Sequence, residues 1–477
     1  MSKRVLVSGN FNILHPGHLR LLRFAKECGN ILIVAVNSDR IAQNKAHVPQ
    51  GLRLDGVKSI GWVDEALIWD GSTIELIKTV KPDIVVKGRE HENYHNQELE
   101  PLSAYGGKLL FSSGESIFST MDLLKAEFFR LERFSIGLPT SFMERHAVSI
   151  DRLTEIVKNF SKLKVCVVGD LIVDEYITCD SLGMSQEDPT IVVTPIDTSQ
   201  FIGGAGIVAA HAAGLGANVS FITVSGNDEA YLYAKSQLSG YGVNAEFIID
   251  ETRPTTLKKR YRSKGKTLLR VSHLHQGSIS LEHQELFLNL VEKNLLDCNI
   301  LVFSDFNYGC LPQKLVDRII THAKGRGIFM AADSQSSSQV GDIGRFVGMD
   351  LITPTEREAR ISTRNYIDGL TMLAEKIRIK SLAENILLKL GEEGALIHTR
   401  AIGESAHWHT DQIGALNQSA KDPAGAGDSL LITSSMALAS GGSIWEAALL
   451  GSLAAAIQVG RVGNTPIKLD ELQKEFY

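Results

Sequence analysis

The chain has 477 residues, of which 44% are hydrophobic and 22% are charged, and its formal net charge is −6. This length exceeds what one hydrophobic core usually organises, so we expect at least two domains. The slightly acidic balance argues against a general nucleic-acid binder, because such proteins carry a basic surplus. It leaves open a small anionic substrate that local basic residues would bind.

Five cysteines are scattered along the chain without a CxxC pair. This spacing argues against a disulfide framework or a zinc site and is typical of a reducing compartment. The first nine residues hold an apolar run too short for a signal peptide, so they predict a strand. No stretch of about 18 apolar residues occurs, and we therefore expect a cytoplasmic protein with no membrane span.

The first part of the chain alternates short apolar segments with segments of helical spacing. Strands are predicted at Val5–Ser8, Ile31–Val36 and Asp83–Val86, and a helix at Gly17–Cys28. Strands that are apolar throughout are buried on both faces, which is typical of a parallel sheet covered by helices. We therefore predict an α/β, Rossmann-like domain over residues 1–130.

The following stretch, residues 131–160, has a different composition. Aromatic and charged residues lead into it, and a helix is predicted from Asp151 to Phe160. A flexible linker would be richer in glycine and serine. We therefore interpret this stretch as a connector that packs against another part of the protein.

A second series of apolar strands begins at Lys164, and its alternation with helices predicts another α/β domain over residues 161–477. Residues 191–194 and 245–275 are rich in β-forming side chains and predict a small sheet that acts as a lid. The main strands are predicted at Leu301–Ser304, Ile328–Ala332, Leu351–Thr353 and Ile386–Leu390, and late helices at Ile432–Ser440 and Ile444–Gly460.

Two histidines, His15 and His18, follow the first predicted strand and open the first helix. A helix N-terminus attracts anions because its free N–H groups and its dipole point outward. Imidazoles there can bind phosphate oxygens and stabilise charge on a transferring phosphoryl group. Capping histidines or a zinc site are the alternatives, and the strand–HxGH–helix arrangement favours phosphate binding.

With this motif the first domain resembles the cytidylyltransferase-like superfamily of nucleotidyltransferases. The resemblance extends to residues 33–39, 81–88 and 118–121. It implies that a pyrophosphate leaving group is stabilised by His15, His18 and Lys87, although Lys87 alone could also be an ordinary surface lysine. It further implies nucleotide or phosphate contacts at Asn10, Phe11, Arg53, Ser119 and Thr120.

The segment Asp422–Asp428 is rich in small residues and precedes a predicted helix. Small residues let backbone N–H groups close on a phosphate. An aspartate at the helix start can accept the proton of a substrate hydroxyl that attacks ATP. The alternative is an ordinary glycine-rich loop with a capping aspartate.

Residues 164–470 as a whole resemble the ribokinase-like (PfkB) sugar kinases, through segments 168–174, 201–210, 215–228 and 389–394. The resemblance implies that Asp428 is the catalytic base. It also implies that Glu358 helps to order Mg²⁺ and phosphate. The anion hole would be formed by the amides of Gly425, Ala426 and Gly427, the nucleotide site by Lys389, Gly391 and Gly394, and the sugar site by Asp170, Asp174, Gly203 and Gly204.

Among these kinases, the chain resembles the bifunctional ADP-heptose synthesis enzymes through residues 304–309 and 254–260. This likeness implies that Lys258, Arg260 and Asp305 contact a sugar phosphate. The domain order is reversed, since the familiar fusion has the kinase first. The implied reactions are phosphorylation of a heptose 7-phosphate by ATP with Mg²⁺, and nucleotidyl transfer to the sugar 1-phosphate. A homodimer through the lid of the kinase domain is also implied.

Three residues depart from the kinase pattern. Ile207 and Thr355 stand where the family has asparagines, and Gln335 stands where it has a lysine. These departures keep two alternatives open. The kinase-like domain would only regulate or scaffold an active nucleotidyltransferase, or the enzyme would use CTP and act on a polyol phosphate or another sugar phosphate.

Overall fold

The computed structural model describes residues 3–14, 16–43, 46–88, 96–112, 136–185, 187–263, 266–336, 340–400, 409–417 and 420–476. The chain divides into two compact units, Met1–Phe134 and Ser135–Tyr477. Within the described ranges, no helix combines the length and the apolar character that crossing a membrane requires.

The first unit contains a five-stranded parallel sheet in the order β3-β2-β1-β4-β5. Because the chain order reverses between β1 and β4, a crevice forms beyond the carboxyl ends of these two strands, where such sheets bind ligands. The predicted Rossmann-like fold is confirmed. The strands are β1 (Arg4–Gly9), β2 (Ile31–Asn37), β3 (Glu65–Trp69), β4 (Ile84–Gly88) and β5 (Lys108–Ser112), and the helices are Pro16–Glu27, Asp39–Ala42, Gln50–Lys58, Thr73–Val80 and Leu99–Ser103.

The second unit is built on a nine-stranded sheet in the order β10-β9-β6-β13-β14-β15-β16-β17-β18. All neighbours are parallel except at β17, which is antiparallel to both β16 and β18. Its strands are β6 (Lys164–Gly169), β9 (Asn218–Ser225), β10 (Asn244–Ile249), β13 (Ile300–Asp305), β14 (Phe329–Ser334), β15 (Leu351–Ile352), β16 (Asn385–Lys389), β17 (Ala395–Thr399) and β18 (His409–Ile413).

Helices cover both faces of this sheet, and a separate hydrophobic core lies on each face. The two late helices, Ala426–Ala439 and Ile444–Val459, are buried along most of their length, as expected for helices that are apolar on nearly all sides. The other helices are Thr140–Arg145, Ile150–Lys158, Ala205–Gly214, Glu229–Gly240, Leu281–Asn294, Gln313–Lys324, Glu356–Thr363, Leu370–Ser381 and Leu469–Lys474, with 3₁₀ turns at Asn159–Lys162, Ile343–Arg345 and Gly391–Glu393.

A four-stranded sheet in the order β12-β11-β7-β8 forms the lid, made of β7 (Leu171–Met184), β8 (Ile191–Gly204), β11 (Thr256–Ser263) and β12 (Lys266–His273). The lid was predicted, but its composition was partly wrong. Residues 244–249 form β10, which belongs to the main sheet because it pairs in parallel with β9. The long strand β7 was missed because its outer half is exposed and mixes polar with apolar residues.

The segment described from residue 136 onward packs onto the second unit. Its aromatic and aliphatic side chains join the core that covers one face of the nine-stranded sheet. The helix expected at residues 151–160 is present as Ile150–Lys158, capped by the Ser149 hydroxyl. The buried side chains of this segment are Phe142, Val148, Leu153, Ile156, Val157 and Phe160.

Candidate active sites

The glycine-rich turn of the second unit leads directly into a buried helix. Gly425 has a φ of 77°, a left-handed conformation that favours glycine, and it caps the helix Ala426–Ala439. A Cβ at this position would collide with the side-chain oxygen of Asn464. The amides that begin the helix therefore face the space in front of the turn, as in an anion site.

Asp428 lies in the first turn of this helix and is 5% exposed. The side-chain amide of Gln335, just beyond the end of β14, donates a hydrogen bond to Asp428 Oδ1 at 3.2 Å. Burial, and then repulsion from Asp333, raise the pKa of Asp428 to about 7. A carboxylate with this pKa can accept a proton near neutral pH.

A buried ion pair lies next to the turn. Lys389, the last residue of β16, donates from Nζ to Asp333 Oδ2 at 2.7 Å. A Cβ on Gly427 would be 3.1 Å from the same Nζ, so the ammonium is adjacent to the predicted anion hole. Burial raises the pKa of Asp333 to about 6.

The predicted sugar-binding residues Asp174, Gly203 and Gly204 come together at the base of the lid. Asp174 Oδ1 accepts a hydrogen bond from Arg260 Nη2 at 2.9 Å. A side chain at Gly203 would displace Asp174, because its Cβ would be 2.5 Å from Asp174 Oδ2. Repulsion from Asp174 is among the causes that raise the pKa of Asp428, so the two carboxylates face the same space.

Two cations of β11 lie above aromatic rings. Lys258 Nζ is 5.1 Å from the ring centre of Phe306 and 5.2 Å from that of Tyr308. The guanidinium of Arg260 is 5.5 Å from the ring of Tyr176. Lys258 and Arg260 are two positions apart on one strand, so their side chains lie on the same face of the lid. Lys258 is paired with Asp174 on β7, so this positively charged face also carries Asp174.

Asp170 and Asp305, two of the predicted substrate contacts, accept hydrogen bonds from groups of the protein itself. Asp170 accepts backbone hydrogen bonds from Phe306, Tyr308 and Cys310 at 2.8, 3.3 and 3.3 Å. Asp305 accepts hydrogen bonds from the Ser334 hydroxyl at 2.9 Å and from the Arg345 guanidinium at 2.8 Å. Both carboxylates are buried and hold the loop after β13, which in turn supplies the rings below Lys258.

Of the three departures from the kinase pattern, Gln335 donates to Asp428 as described above, and the other two have separate structural roles. Ile207 is fully buried in the core. Thr355 caps the helix Glu356–Thr363, in a capping box with Glu358. Glu358 also accepts the Ser336 amide at 3.0 Å, so it acts by ordering the chain around the turn.

The predicted nucleotide-site turn follows β16. Gly391 and Gly394 both have positive φ angles, 63° and 90°, which lets the chain reverse from β16 into β17 within a few residues. This reversal fixes Lys389 at the end of its strand. Because Lys389 is next to Gly427, the turn that follows Lys389 lies close to the predicted anion hole.

In the first unit, Asn10, Phe11 and His18 lie at the carboxyl end of β1. His18 Nδ1 is 3.1 Å from the Ile13 carbonyl oxygen, a hydrogen bond that requires the proton on Nδ1. The ring of Phe11 is 5.2 Å from that of His18. Asn10 accepts a hydrogen bond from Asn37 at 2.7 Å, which joins the ends of β1 and β2.

Arg53 and Lys87 were predicted to meet the nucleotide. The guanidinium of Arg53 is buried and donates to the Asn10 carbonyl and to Asp39 Oδ1, each at 2.6 Å, so it holds the loops that surround the site. Lys87 Nζ donates to Asn96 and Glu98, each at 2.9 Å. The remaining candidates of this unit, His15, Ser119 and Thr120, lie outside the described residues.

Sequence reasoning missed a link between the lid and the turn. The Tyr176 hydroxyl on β7 donates to Asp422 Oδ2 at 3.0 Å. The same oxygen accepts the Gly463 amide at 3.2 Å, and Asp422 Oδ1 accepts the Ala424 amide at 3.1 Å. A buried aspartate at the start of a glycine-rich turn was the available signal, but its partner on a distant strand was not visible in the sequence.

A profile of the pfkB family carbohydrate kinases matches residues 162–470, and a cytidylyltransferase-like profile matches residues 6–104. The chain is 30% identical over 324 residues to the Bifunctional protein HldE of Desulfatibacillum aliphaticivorans. That match covers 67% of this chain and 64% of the relative, so the chain spans less than two-thirds of the relative's length.

Solved structures of the same fold cover the second unit. Phosphofructokinase-2 from Escherichia coli, in complex with substrates and products, matches with a TM-score of 0.52 and 17% identity, over 66% of this chain and 98% of that chain. Arabidopsis thaliana ribokinase complexed with ribose and ATP matches with a TM-score of 0.51 and 18% identity, over 66% and 98% of the two chains. These structures confirm the ribokinase-like fold.

Proposed function

Because this chain belongs to the pfkB family of carbohydrate kinases, we propose that its second unit transfers the γ-phosphoryl group of ATP to a sugar hydroxyl. The observation that carries this proposal is Asp428, a buried carboxylate with a pKa of about 7 at the start of the helix behind the glycine-rich turn. It has the position and the proton affinity of a general base.

In this reaction the sugar hydroxyl oxygen attacks the γ-phosphorus, and the bond from that phosphorus to the bridging oxygen of ADP breaks. Asp428 accepts the hydroxyl proton. The amides of Gly425, Ala426 and Gly427 hold the phosphoryl oxygens, since charge spreads over them in the transition state. Gln335, through its hydrogen bond to Oδ1, keeps the carboxylate oriented.

Mg²⁺ enters this site with the nucleotide, because it binds phosphates with few protein ligands. Among the described residues, no cluster of three or more metal-binding side chains exists. Asp333 Oδ1 is buried without a hydrogen-bond partner, so it is the carboxylate oxygen that fits such an ion. Glu358 has both oxygens engaged by backbone amides and contributes indirectly.

The sugar is proposed to carry a phosphate of its own, with heptose 7-phosphate as the specific candidate and the anomeric hydroxyl as the nucleophile. The support is the cationic face of the lid, where Lys258 and Arg260 lie near Asp174. Lys258 is buried and Arg260 is half-buried, and a phosphate on the sugar would give both cations an anionic ligand in front of the lid. The likeness to the HldE relative points the same way.

The first unit is proposed to transfer a nucleotidyl group from a nucleoside triphosphate to the sugar 1-phosphate. The sugar phosphate oxygen attacks the α-phosphorus, and pyrophosphate leaves, stabilised by His15, His18 and Lys87. The product would be a nucleotide-activated heptose, with ADP-heptose as the candidate. ATP is the proposed donor, and CTP is the alternative that a donor competition assay decides.

The domain limits 1–130 and 161–477, joined through residues 131–160, belong to this proposal, as does a homodimer through the kinase lid. Support for the dimer comes from large apolar side chains that the lid exposes: Leu182, Met184, Ile191, Ile196 and Leu269.

The two activities can be separated with a matched pair of variants in the full chain. Asp428→Asn should abolish sugar-dependent ADP formation and leave nucleotidyl transfer intact, whereas His18→Ala should do the reverse. Both reactions are followed by chromatography of the nucleotides. If Asp428→Asn reduced both reactions equally, the two-site proposal would fail. If no sugar phosphate supported Asp428-dependent turnover, the second unit would have only a regulatory or scaffolding role.

A further inference from the structure

Lys389, the last residue of β16, lies beside the glycine-rich turn of the kinase site. Lys389 lies where β16 runs into the turn at Gly391, and a single parallel bridge pairs it with Thr355. Its ammonium therefore comes from a different strand than Asp333 and from a different element than Asp428. Charged side chains from β14, from β16 and from the helix Ala426–Ala439 therefore lie close together.

The contacts of this ammonium place it against the anion hole. Its Nζ is 2.7 Å from Asp333 Oδ2 and would be 3.1 Å from a Cβ on Gly427. An ammonium has three N–H donors. Among the residues that the structure describes, Asp333 is the hydrogen-bond acceptor shown for it, so donors remain for a ligand in front of the turn.

Lys389 is protonated at neutral pH. Burial alone would lower the pKa of Lys389, but attraction to Asp333, Glu358 and Asp428 outweighs it and raises the pKa above its ordinary value. Three carboxylates, Asp333, Glu358 and Asp428, lie around this ammonium. A polyphosphate that enters this space meets buried carboxylates, so a fixed cation at the turn is needed to offset their repulsion.

We propose that the Lys389 ammonium binds the γ-phosphoryl group of ATP and neutralises the charge that develops on it during transfer. This inference rests on the proposed kinase function. The bond changes are those given above, with the hydroxyl proton going to Asp428, and Lys389 stays protonated throughout. Gln335, at the neighbouring strand end, is uncharged and hydrogen-bonded to Asp428, so Lys389 supplies the cation that this strand end lacks.

A purely structural role for Lys389 makes a different prediction. Asp333 is also the carboxylate that fits Mg²⁺, so Asp333→Asn alone should slow the reaction, and this single variant is the reference. If the lysine only neutralised Asp333, Lys389→Met would cause no further loss of kcat in the Asp333→Asn background. If the lysine binds the phosphoryl group, kcat would fall further in that background.

The test compares the full chain with Lys389→Met, Lys389→Arg, Asp333→Asn and the double variant, assayed with heptose 7-phosphate and Mg-ATP. We expect Lys389→Met to lower kcat by about 100- to 1,000-fold, the usual loss for a donor to a developing oxyanion. The double variant should regain the melting temperature but have a lower kcat than Asp333→Asn, and Lys389→Arg should retain part of the activity. Lys380→Met, which removes a lysine–aspartate pair elsewhere, is the control and should keep kcat.

Equal kcat in the double variant and in Asp333→Asn would overturn the proposal, as would unchanged kcat in Lys389→Met. Failure of the wild type to turn over would instead count against the proposed function. In that case the role of Lys389 is tested by calorimetry, which measures the binding of ADP and of the non-hydrolysable analogue AMP-PNP to the wild type and to Lys389→Met. The first unit is identical in both proteins, so the difference between isotherms reports the second unit. Lys389→Met should weaken AMP-PNP about tenfold more than ADP, and equal weakening of both would refute the role.

Discussion

Asp170, Asp333 and Asp428 are all buried carboxylates with raised pKa values, yet their surroundings assign them different tasks. Three backbone amides use the oxygens of Asp170. Asp333 has an ammonium on one oxygen and no partner on the other. Asp428 accepts one hydrogen bond from a neutral side chain, which leaves it able to accept a proton from a substrate.

The pKa of Asp428 predicts how the kinase reaction depends on pH. A general base must be ionised, and burial raises the pKa of Asp428 to about 7. We expect kcat to fall about tenfold per pH unit below that value and to level off above it. The measurement is kcat between pH 5 and pH 9, with nucleotidyl transfer by the same chain as the control. A rate that stayed constant down to pH 5 would exclude Asp428 as the base.

The ionised carboxylate of Asp428 should lower the free energy of unfolding at high pH. Its pKa is raised from 3.8 in the unfolded chain to about 7 in the folded one, so the folded state loses stability as the pH rises between these values. Asp428→Asn removes this charge. Its free energy of unfolding relative to the wild type should therefore increase by roughly 1–3 kcal/mol from pH 5 to pH 8.

Denaturant unfolding at the two pH values measures this difference. Asp197→Asn, at an exposed position of the lid, is the control and should show no such increase. A difference that shrank with rising pH would mean that Asp428 is stabilised as a carboxylate. That result would contradict the charge distribution described for the site.

At the scale of residues, the sequence identified those whose role follows from a local motif. Asp428 and the glycines of its turn are where the motif placed them. Asp170 was assigned to the sugar because segment 168–174 resembles the sugar-binding strand of the family. The sequence did not show that three amides from a loop more than 130 positions away donate to it. Such long-range partners leave no local signature.

At the scale of elements, the lid and the glycine-rich turn are joined by the hydrogen bond from Tyr176 on β7 to Asp422. The guanidinium of Arg262 on β11 is 4.9 Å from the Tyr176 ring. The glycine-rich turn is thus attached to the lid sheet. We infer that the position of the lid and the shape of the turn change together.

Tyr176→Phe tests this connection. Loss of a buried hydrogen bond to a carboxylate costs about 1–3 kcal/mol, so we expect kcat/KM of the kinase reaction to fall roughly 5- to 100-fold. Tyr233→Phe is the control, because its hydroxyl bonds the Gln200 carbonyl on β8, away from the turn. If Tyr176→Phe and Tyr233→Phe changed kcat/KM by the same factor, the lid–turn connection would have no part in the reaction.

The segment 136–162 is another element whose role is testable. Its buried side chains, among them Phe142, Leu153 and Phe160, are part of the core of the second unit. Each buried apolar side chain of this size contributes about 1.5–3 kcal/mol, and whole domains are stable by only about 5–15 kcal/mol.

A chain that begins at Ser135 should therefore fold, whereas one that begins at Ser161 should be insoluble or melt far lower. Circular dichroism and thermal melts of the two fragments provide the measurement. Equal melting temperatures would show that the segment is only a tether.

Periodicity predicted the buried strands well, since β1, β2, β13 and β16 are apolar and lie centrally in their sheets. It failed where a strand is exposed. The outer half of β7 is exposed and has no regular apolar pattern. Strand β10 was placed in the lid because its sequence does not reveal which neighbour it pairs with. Pairing is decided by the whole sheet, and the right-handed crossover through the helix Glu229–Gly240 brings β10 beside β9.

At the scale of the whole molecule, one chain carries two units with different folds. The first has a parallel sheet with a crevice beyond β1 and β4, and the second has a kinase sheet with a lid. Matches to a cytidylyltransferase-like profile and to a pfkB profile fall on separate units. Two successive steps on one sugar would give a reason for the fusion.

The most direct test is mass spectrometry of the products that the full chain forms, with ATP and CTP both present. Heptose 7-phosphate should give a heptose bisphosphate, formed in the wild type but not in Asp428→Asn. Heptose 1-phosphate, supplied separately, should give an adenylylated heptose in both proteins. A bisphosphate that formed without Asp428, or two substrates that both remained unchanged, would contradict the account of a kinase and a nucleotidyltransferase in one chain.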